Sequence, residues 1–415
     1  MTAITPKPAT VSKTGGTGEP ERRGEPEGNG LPGRLNLVLA AACGLIVANL
    51  YFAQPLVGPI GTALGLSPDT AGLIVTLTQL GYGLGLLLIV PLGDLFENRK
   101  LILVMLGLSI LAVLSAGLVT QAAAFLATAF AIGLCCVAVQ IIVPYAAQMV
   151  PAAERGRAVG NVMSGLMVGI MLARPVSSFI AAFLPWHMVF VLSALAMTGL
   201  ALFLARVLPP RVPAQRLGYG ALIGSLPRLL MTQAVLRRRA AYQACMFAAF
   251  SLFWTVTPLL LASPAFGLTQ IGIALFALAG AAGALAAPIA GRLADRGVSF
   301  AATRIALVGG ACAFLVTHLA PEGSTLALAV LTLAAIGLDF AVSTTLVLGQ
   351  RAIYVLGDEH RSRLNGLYMA TSFLGGAVGS AAGAWLYAHY GWWGASLLGF
   401  ALPAAALLYS LTERR

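Results

Sequence analysis

Asp339 stands by itself as a carboxylate deep inside a long apolar run, 15 residues after Ser324 and 12 before Arg351. At the rise of a helix those spacings put it about 22 Å and 18 Å from the two ends of the run. An ionised carboxylate at that depth is costly, so it must face a wet cavity, find a partner or hold a proton. Proton binding, solute binding and an interhelical hydrogen bond are the chemistries open to it. Arg174 is the cationic counterpart, 17 residues past Arg157. That is about 26 Å along a helix axis. A buried guanidinium can clamp an anionic group, bond between helices or snorkel to the surface. The two depths differ by several ångströms, which argues against a direct Arg174–Asp339 pair.

Around these charges the apolar runs hold few polar or aromatic groups: Asn49, Tyr51 and Gln54 in the first, Gln140 and Tyr145 in the fourth, Gln243, Trp254 and Thr255 in the seventh. Such groups turn to protein or a cavity rather than lipid. Singly each is explained by helix packing; as a set they are candidates to line a substrate cavity. The five cysteines all fall inside apolar runs, with no CxxC pair and no histidine at ligand spacing, and read as reduced packing residues. His187, His318, His360 and His389 lie at or beyond the ends of runs. No ligand set or nucleophile–base pair emerges, so no metal, cofactor or enzymatic reaction is expected.

The elements that carry these residues follow from composition. Of 415 residues, 59% are apolar and 9% charged, with mean hydropathy +0.90. A soluble chain carries about a quarter charged residues, so an ordinary water-soluble enzyme is excluded. The net charge of +11 is spread singly or in short groups between apolar runs. This is the pattern of a membrane protein and not of a nucleic-acid-binding face. Residues 1–34 hold no apolar run and read as a disordered tail without a signal peptide. Beyond them twelve apolar spans recur, near 37–60, 70–92, 101–120, 123–149, 157–183, 188–207, 240–262, 270–290, 302–319, 325–350, 364–388 and 392–411. Each is long enough to cross a hydrocarbon core of about 30 Å. Backbone amides that must be satisfied within a segment make them helices. The expected fold is all-α, polytopic, with twelve transmembrane helices.

Every Lys and Arg except Arg174 falls in the tail, at the C-terminus or in the connections after spans 2, 4, 6, 8 and 10. Both termini are therefore expected in the cytoplasm. The chain also repeats: a shift of 206 residues lays Arg155 on Arg361, Arg157 on Arg363, Gly160 on Gly366, Met163 on Met369, Gly169 on Gly375 and Trp186 on Trp392. A basic linker, 208–239, punctuated by Pro209, Pro210, Pro213 and Pro227, divides two six-helix halves, 35–207 and 240–412. Glycines four apart (Gly81 and Gly85; Gly165 and Gly169; Gly375, Gly379 and Gly383), with Gly280 and Gly283 in span 8, let helix backbones approach closely.

The connection after span 8 reads Gly291-Arg292-Leu293-Ala294-Asp295-Arg296-Gly297, and that after span 2 reads Gly93-Asp94-Leu95-Phe96-Glu97-Asn98-Arg99-Lys100. Both resemble the loop signature of the major facilitator superfamily, the first with Glu97 at the acidic position and Asn98 for arginine. Ala48 to Pro55, Gln79 to Tyr82, Leu172 to Arg174 and Arg363 to Met369 resemble its bacterial branch near the sugar and drug efflux permeases. The resemblance implies two pseudo-symmetric bundles around a cavity lined by spans 1, 4, 7 and 10, with spans 2, 5, 8 and 11 meeting across the halves. It implies gating at Gly93 and Gly291, with Asp295 and Arg296, and Glu97 or Asp94 with Arg99, as locks. Many antiporters of the superfamily read G-P-x-x-G-G where this chain has Ala173 to Ser178, a departure that weakens a drug-antiport reading. The expected function is proton-coupled efflux of a small organic solute through Asp339, with facilitative or proton-symport uptake as the alternative. A monomer in the cell inner membrane is expected, with solute, protons and lipid as partners and no nucleic acid. A membrane enzyme, a flux-free sensor and a channel are the rival classes; none has its signature here.

Overall fold

The computed structural model describes residues 33–151, 154–213, 218–280, 282, 289–290, 292, 299–356 and 361–413. Among them the chain is helical throughout, without strands. Nine helices are long and apolar enough to cross a membrane, and the last of these, Ser362–Leu411, holds two spans parted at Gly391. Its φ of 64° is a left-handed turn that glycine alone takes without strain. Leu35–Ala48 and Gln270–Gly280 are shorter apolar helices that open spans 1 and 8. The architecture is therefore twelve membrane helices in two bundles of six.

Span 1 is not one rod. It runs Gly33–Ala48, passes through short i→i+3 bonds (Leu50 N to Val47 O and Tyr51 N to Ala48 O, both 3.0 Å), and resumes as a 3-10 turn Gln54–Leu56 and helix Val57–Ala63. Pro55 has no N–H to bond the carbonyl four residues back, and its ring clashes there, so the α-helical ladder cannot continue. The break delivers Tyr51 and Gln54 to the middle of the molecule. Span 4 is likewise divided, into Ala122–Cys135 and Ala138–Gln148. Spans 5, 7 and 10 are long helices, Arg155–Phe183, Ala234–Ala262 and Thr325–Tyr354. Within 208–239 lies a further helix, Tyr219–Thr232, and Arg237 to Arg239 already belong to span 7.

Burial sorts the spans. The most apolar window of span 7 is 83% buried, that of span 6 only 33%, so span 7 sits at the centre and span 6 against lipid. Large apolar side chains such as Leu111, Phe179, Leu195, Ile305, Leu333 and Leu408 are exposed. On a membrane protein these are the faces that lipid covers.

The spaced glycines expected to let backbones approach closely each meet a definite partner. A Cβ on Gly165 or Gly169 would strike the backbone of Ala40 or Gly44 in span 1. One on Gly81 would strike Phe130 in span 4, and ones on Gly375 and Gly379 would strike Ala244 and Ala248 in span 7. Each face thus packs within its own half, and span 5 on span 1 is mirrored by span 11 on span 7. Between the halves, spans 2 and 11 approach closely at Gly72, where a Cβ would strike Ala384 Cβ and stand 2.9 Å from Ser380 O, and side chains add further contacts there and between spans 5 and 8. Thr76 and Ser380 hydroxyls lie 2.8 Å apart, Gln79 Nε2 donates to Ser251 Oγ at 2.7 Å, and Ser178 Oγ donates to Gln270 Oε1 at 2.9 Å. Val57, Val75 and Leu259 add an apolar cluster there. These contacts lie toward the end of the bundles away from the chain termini, so that end is closed.

Candidate functional site

Arg174 reaches from span 5 to the break in span 1, where its Nε donates to Gln54 Oε1 at 2.7 Å. Its Cζ lies 5.1 Å from the ring centre of Tyr51, 4.9 Å from that of Phe250 and 4.4 Å from that of Trp254. The guanidinium is only 4% exposed, and stacked rings hold such a cation in place of water. Trp254 can lie there because Gly280 has no side chain: a Cβ on it would stand 2.6 Å from the indole Cη2. The edge of the same indole carries Nε1, which donates to Asp339 Oδ1 at 2.8 Å. An aromatic ring is negative on its face and positive at its edge. Trp254 therefore presents the correct sign to both charges, the cation over its face and the carboxylate at its N–H. The expectation against direct pairing stands geometrically, yet the two residues belong to one site with the indole between them.

Two polar atoms here lack a protein partner among the described residues: Arg174 Nη2 and Gln54 Nε2. The arrangement can hold an acceptor-rich group at Arg174 and a proton at Asp339.

Of the polar set read from the sequence, Tyr51, Gln54 and Trp254 gather with Arg174 and Asp339; Thr255 follows Trp254 on span 7 and is buried, and the rest bond elsewhere. Asn49 bonds Leu45 O at 2.9 Å and Met197 Sδ at 3.2 Å and accepts from Ser193 at 2.7 Å, tying span 1 to span 6. Tyr145 donates to Pro209 O at 2.8 Å and so fastens span 4 to the linker. Gln140 donates to Tyr82 at 3.1 Å, and Gln243 accepts from Thr345 at 2.8 Å. Phe250 is the member that sequence reasoning missed. It stands four residues before Trp254, on the same face of span 7, and that spacing was the available signal.

A family model described as Major Facilitator Superfamily matches residues 38–357. The chain belongs to the major facilitator superfamily. It is 40% identical over 375 residues to the uncharacterized transporter YgaY of Escherichia coli O157:H7, covering 90% of this chain and 94% of that one. It is 32% identical over 383 residues to "Probable transporter SCO4007" of Streptomyces coelicolor, covering 91% and 88%. Among solved structures the nucleoside transporter NupG superposes with TM-score 0.72 over 91% of this chain and 98% of its own, at 12% identity, a likeness of fold. A multi-pass membrane transporter of this superfamily is thereby shown.

The superfamily's signature loop after span 2 is wired differently from the expected acid–Arg99 lock. Glu97 pairs with Lys100 at 3.1 Å, while Arg99 Nη2 donates to Ala205 O at 2.6 Å. Asn98, replacing arginine, donates to Gly93 O at 2.6 Å and accepts from Arg211 Nη1 at 2.6 Å, which anchors the loop to the linker. A neutral amide serves both bonds where a guanidinium, having no acceptor, could not. Asp94 lies in the fields of Arg363 and Arg211, and with Arg363 lines a crevice between the halves. Gly291, Asp295 and Arg296 lie outside the described residues.

Proposed function

We propose that this chain is a proton-coupled secondary transporter of a small organic solute, with Asp339 as the proton site and the Arg174 cluster as the solute site. One observation carries the reading: a single indole lies against the cation on its face and bonds the carboxylate at its edge. A change of charge on either side is felt by the other through one movable ring. Neutralising Asp339 lowers the cost of closing apolar helices over it, which biases the exchange between the two access states. Asp94 beside Arg363, at the crevice between the halves, serves as a gate on the terminus-proximal side. The distribution of Lys and Arg supports a cytoplasmic membrane with both termini inside. Export is the direction that the resemblance to efflux permeases supports; the charges of the site bear on it below.

The test is solute-driven proton movement in proteoliposomes holding a lumenal pH dye, with small organic anions, cations and neutral compounds offered in turn. Wild type is expected to move protons with at least one of them, and Asp339→Asn to lose that movement at least tenfold. Retention of it by Asp339→Asn overturns the assignment.

A further inference from the structure

The donors left over at Arg174 specify what the solute must bring. Nε is satisfied by Gln54, but Nη2 and Gln54 Nε2 have no partner among the described residues, although the two residues are 4% and 0% exposed. Both orphans are N–H donors, and one carries positive charge. Unpaired buried donors are costly, and one acceptor-rich group satisfies both together. A cation would add repulsion, whereas the oxygens of an anion accept from both donors and strengthen those bonds with their charge. Tyr51, Phe250 and Trp254 already cover the guanidinium with their rings, so a solute that reaches it must displace one of them, and a flat body gives the displaced ring a surface to pack on.

We propose that the solute is a small organic anion, a carboxylate on an aromatic or other flat body, held by Arg174 Nη2 and Gln54 Nε2 and carried in the same direction as a proton on Asp339. The co-transport part rests on the reading of Asp339 given above.

Its direction follows from charge balance. The groups facing Asp339 are the Arg174 guanidinium from span 5, the Tyr51 phenol from span 1 and the Trp254 N–H from span 7. Without an anion, Arg174 compensates the ionised carboxylate. A bound anion takes over the guanidinium and sets a second negative charge near Asp339. Trp254 covers the guanidinium, so admitting the anion also swings the indole and withdraws its N–H from the carboxylate. A proton on Asp339 relieves both changes. Anion and proton therefore strengthen each other's binding by the same factor. A proton gradient then draws the anion inward, opposite to the export that the resemblance implies.

The experiment uses the full chain purified in detergent, with benzoate, phenylacetate and cinnamate as probes and benzamide and benzylamine as neutral and cationic isosteres. At least one carboxylate is expected to raise the melting temperature, while the isosteres leave it unchanged. The affinity of that carboxylate should fall at least tenfold in Arg174→Ala and several-fold in Gln54→Ala, a milder change that keeps the cation should Arg174→Ala fail to fold. In weak buffer, binding should take up about one proton per anion in wild type and none in Asp339→Asn. A shift with benzylamine or benzamide as large as with any carboxylate, or no shift with all three carboxylates, overturns the anion assignment. If Asp339→Asn still abolishes solute-driven proton movement in proteoliposomes, the coupling reading then stands without it. Carboxylate binding without proton uptake overturns co-transport and the Asp339 reading, and leaves the anion class standing.

Discussion

At the scale of single residues, Gln54 is what makes Arg174 tolerable inside the membrane. It supplies the acceptor for Nε at 2.7 Å, and the three rings supply the rest of the surroundings. Gln54→Leu leaves a charged N–H buried without a partner and should destabilise the protein by about 1.5–3 kcal/mol. Arg174→Met in the Gln54→Leu background should recover part of that loss, because an apolar pair of similar size replaces the Gln54–Arg174 bond while Asp339, left without its cation, takes up a proton. Denaturation of the detergent-solubilised variants gives the double-mutant cycle, with an expected coupling of about 1–3 kcal/mol. A Gln54→Leu variant as stable as wild type would show that the amide is not holding the cation. Arg174 and Asp339 were legible in the sequence because an isolated charge in an apolar run has few explanations. Phe250 was not, since its one signal, a place four residues before Trp254, gains meaning only once Trp254 is known to face the cation. Asn49 and Tyr145 misled for the converse reason: polarity within a span marks a protein-facing side chain but does not say whether the protein there is cavity or adjoining helix.

The elements position these residues through breaks and missing side chains. Hydropathy runs unbroken across 37–60, yet Pro55 divides span 1 and turns Gln54 toward Arg174. The signal was one residue, and an average over a window erased it. Glycine spacing behaved similarly, since four-residue intervals define a face of a helix without naming the helix that covers it. Gly280 offers a test of how far the site depends on such a face. In Gly280→Ala the new methyl would stand 2.6 Å from the indole Cη2, so Trp254 must shift. Overpacking of this kind costs about 1–3 kcal/mol, and the displaced indole should also weaken its bond to Asp339. The control is Gly337→Ala on span 10, where a Cβ meets nothing within 4 Å. There the helix propensity of alanine favours a small gain, about 1 kcal/mol at most. Melting temperature and solute-driven proton movement are expected to fall together in Gly280→Ala and to hold in Gly337→Ala. Equal behaviour of the two variants would mean that the seat of the indole is not critical.

At the scale of the whole molecule, the 206-residue repeat and the basic linker already implied two halves, while the state in which they meet was invisible, because it depends on which side chains touch. Thr76 of span 2 and Ser380 of span 11 lie 2.8 Å apart at the closed end, beside the Gln79–Ser251 bond. If solute leaves or enters at that end, these helices must part, and a covalent link between them should stop transport. Thr76→Cys with Ser380→Cys brings two sulfurs to where the hydroxyls now meet, near the bonding distance of about 2.05 Å. Cys312, exposed, and Cys245, half-buried, are replaced first by Cys312→Ala and Cys245→Ala; Cys43, Cys135 and Cys136 are buried. Oxidation of the double variant is expected to reduce solute-driven proton movement at least tenfold, reductant to restore it, and Thr76→Cys alone to respond to neither. Carboxylate binding should persist in the oxidised form, because the link forbids exchange between access states without touching Arg174. Undiminished transport by the linked protein would mean that the halves do not separate here, and that the site at Trp254 is reached by some motion other than their rocking.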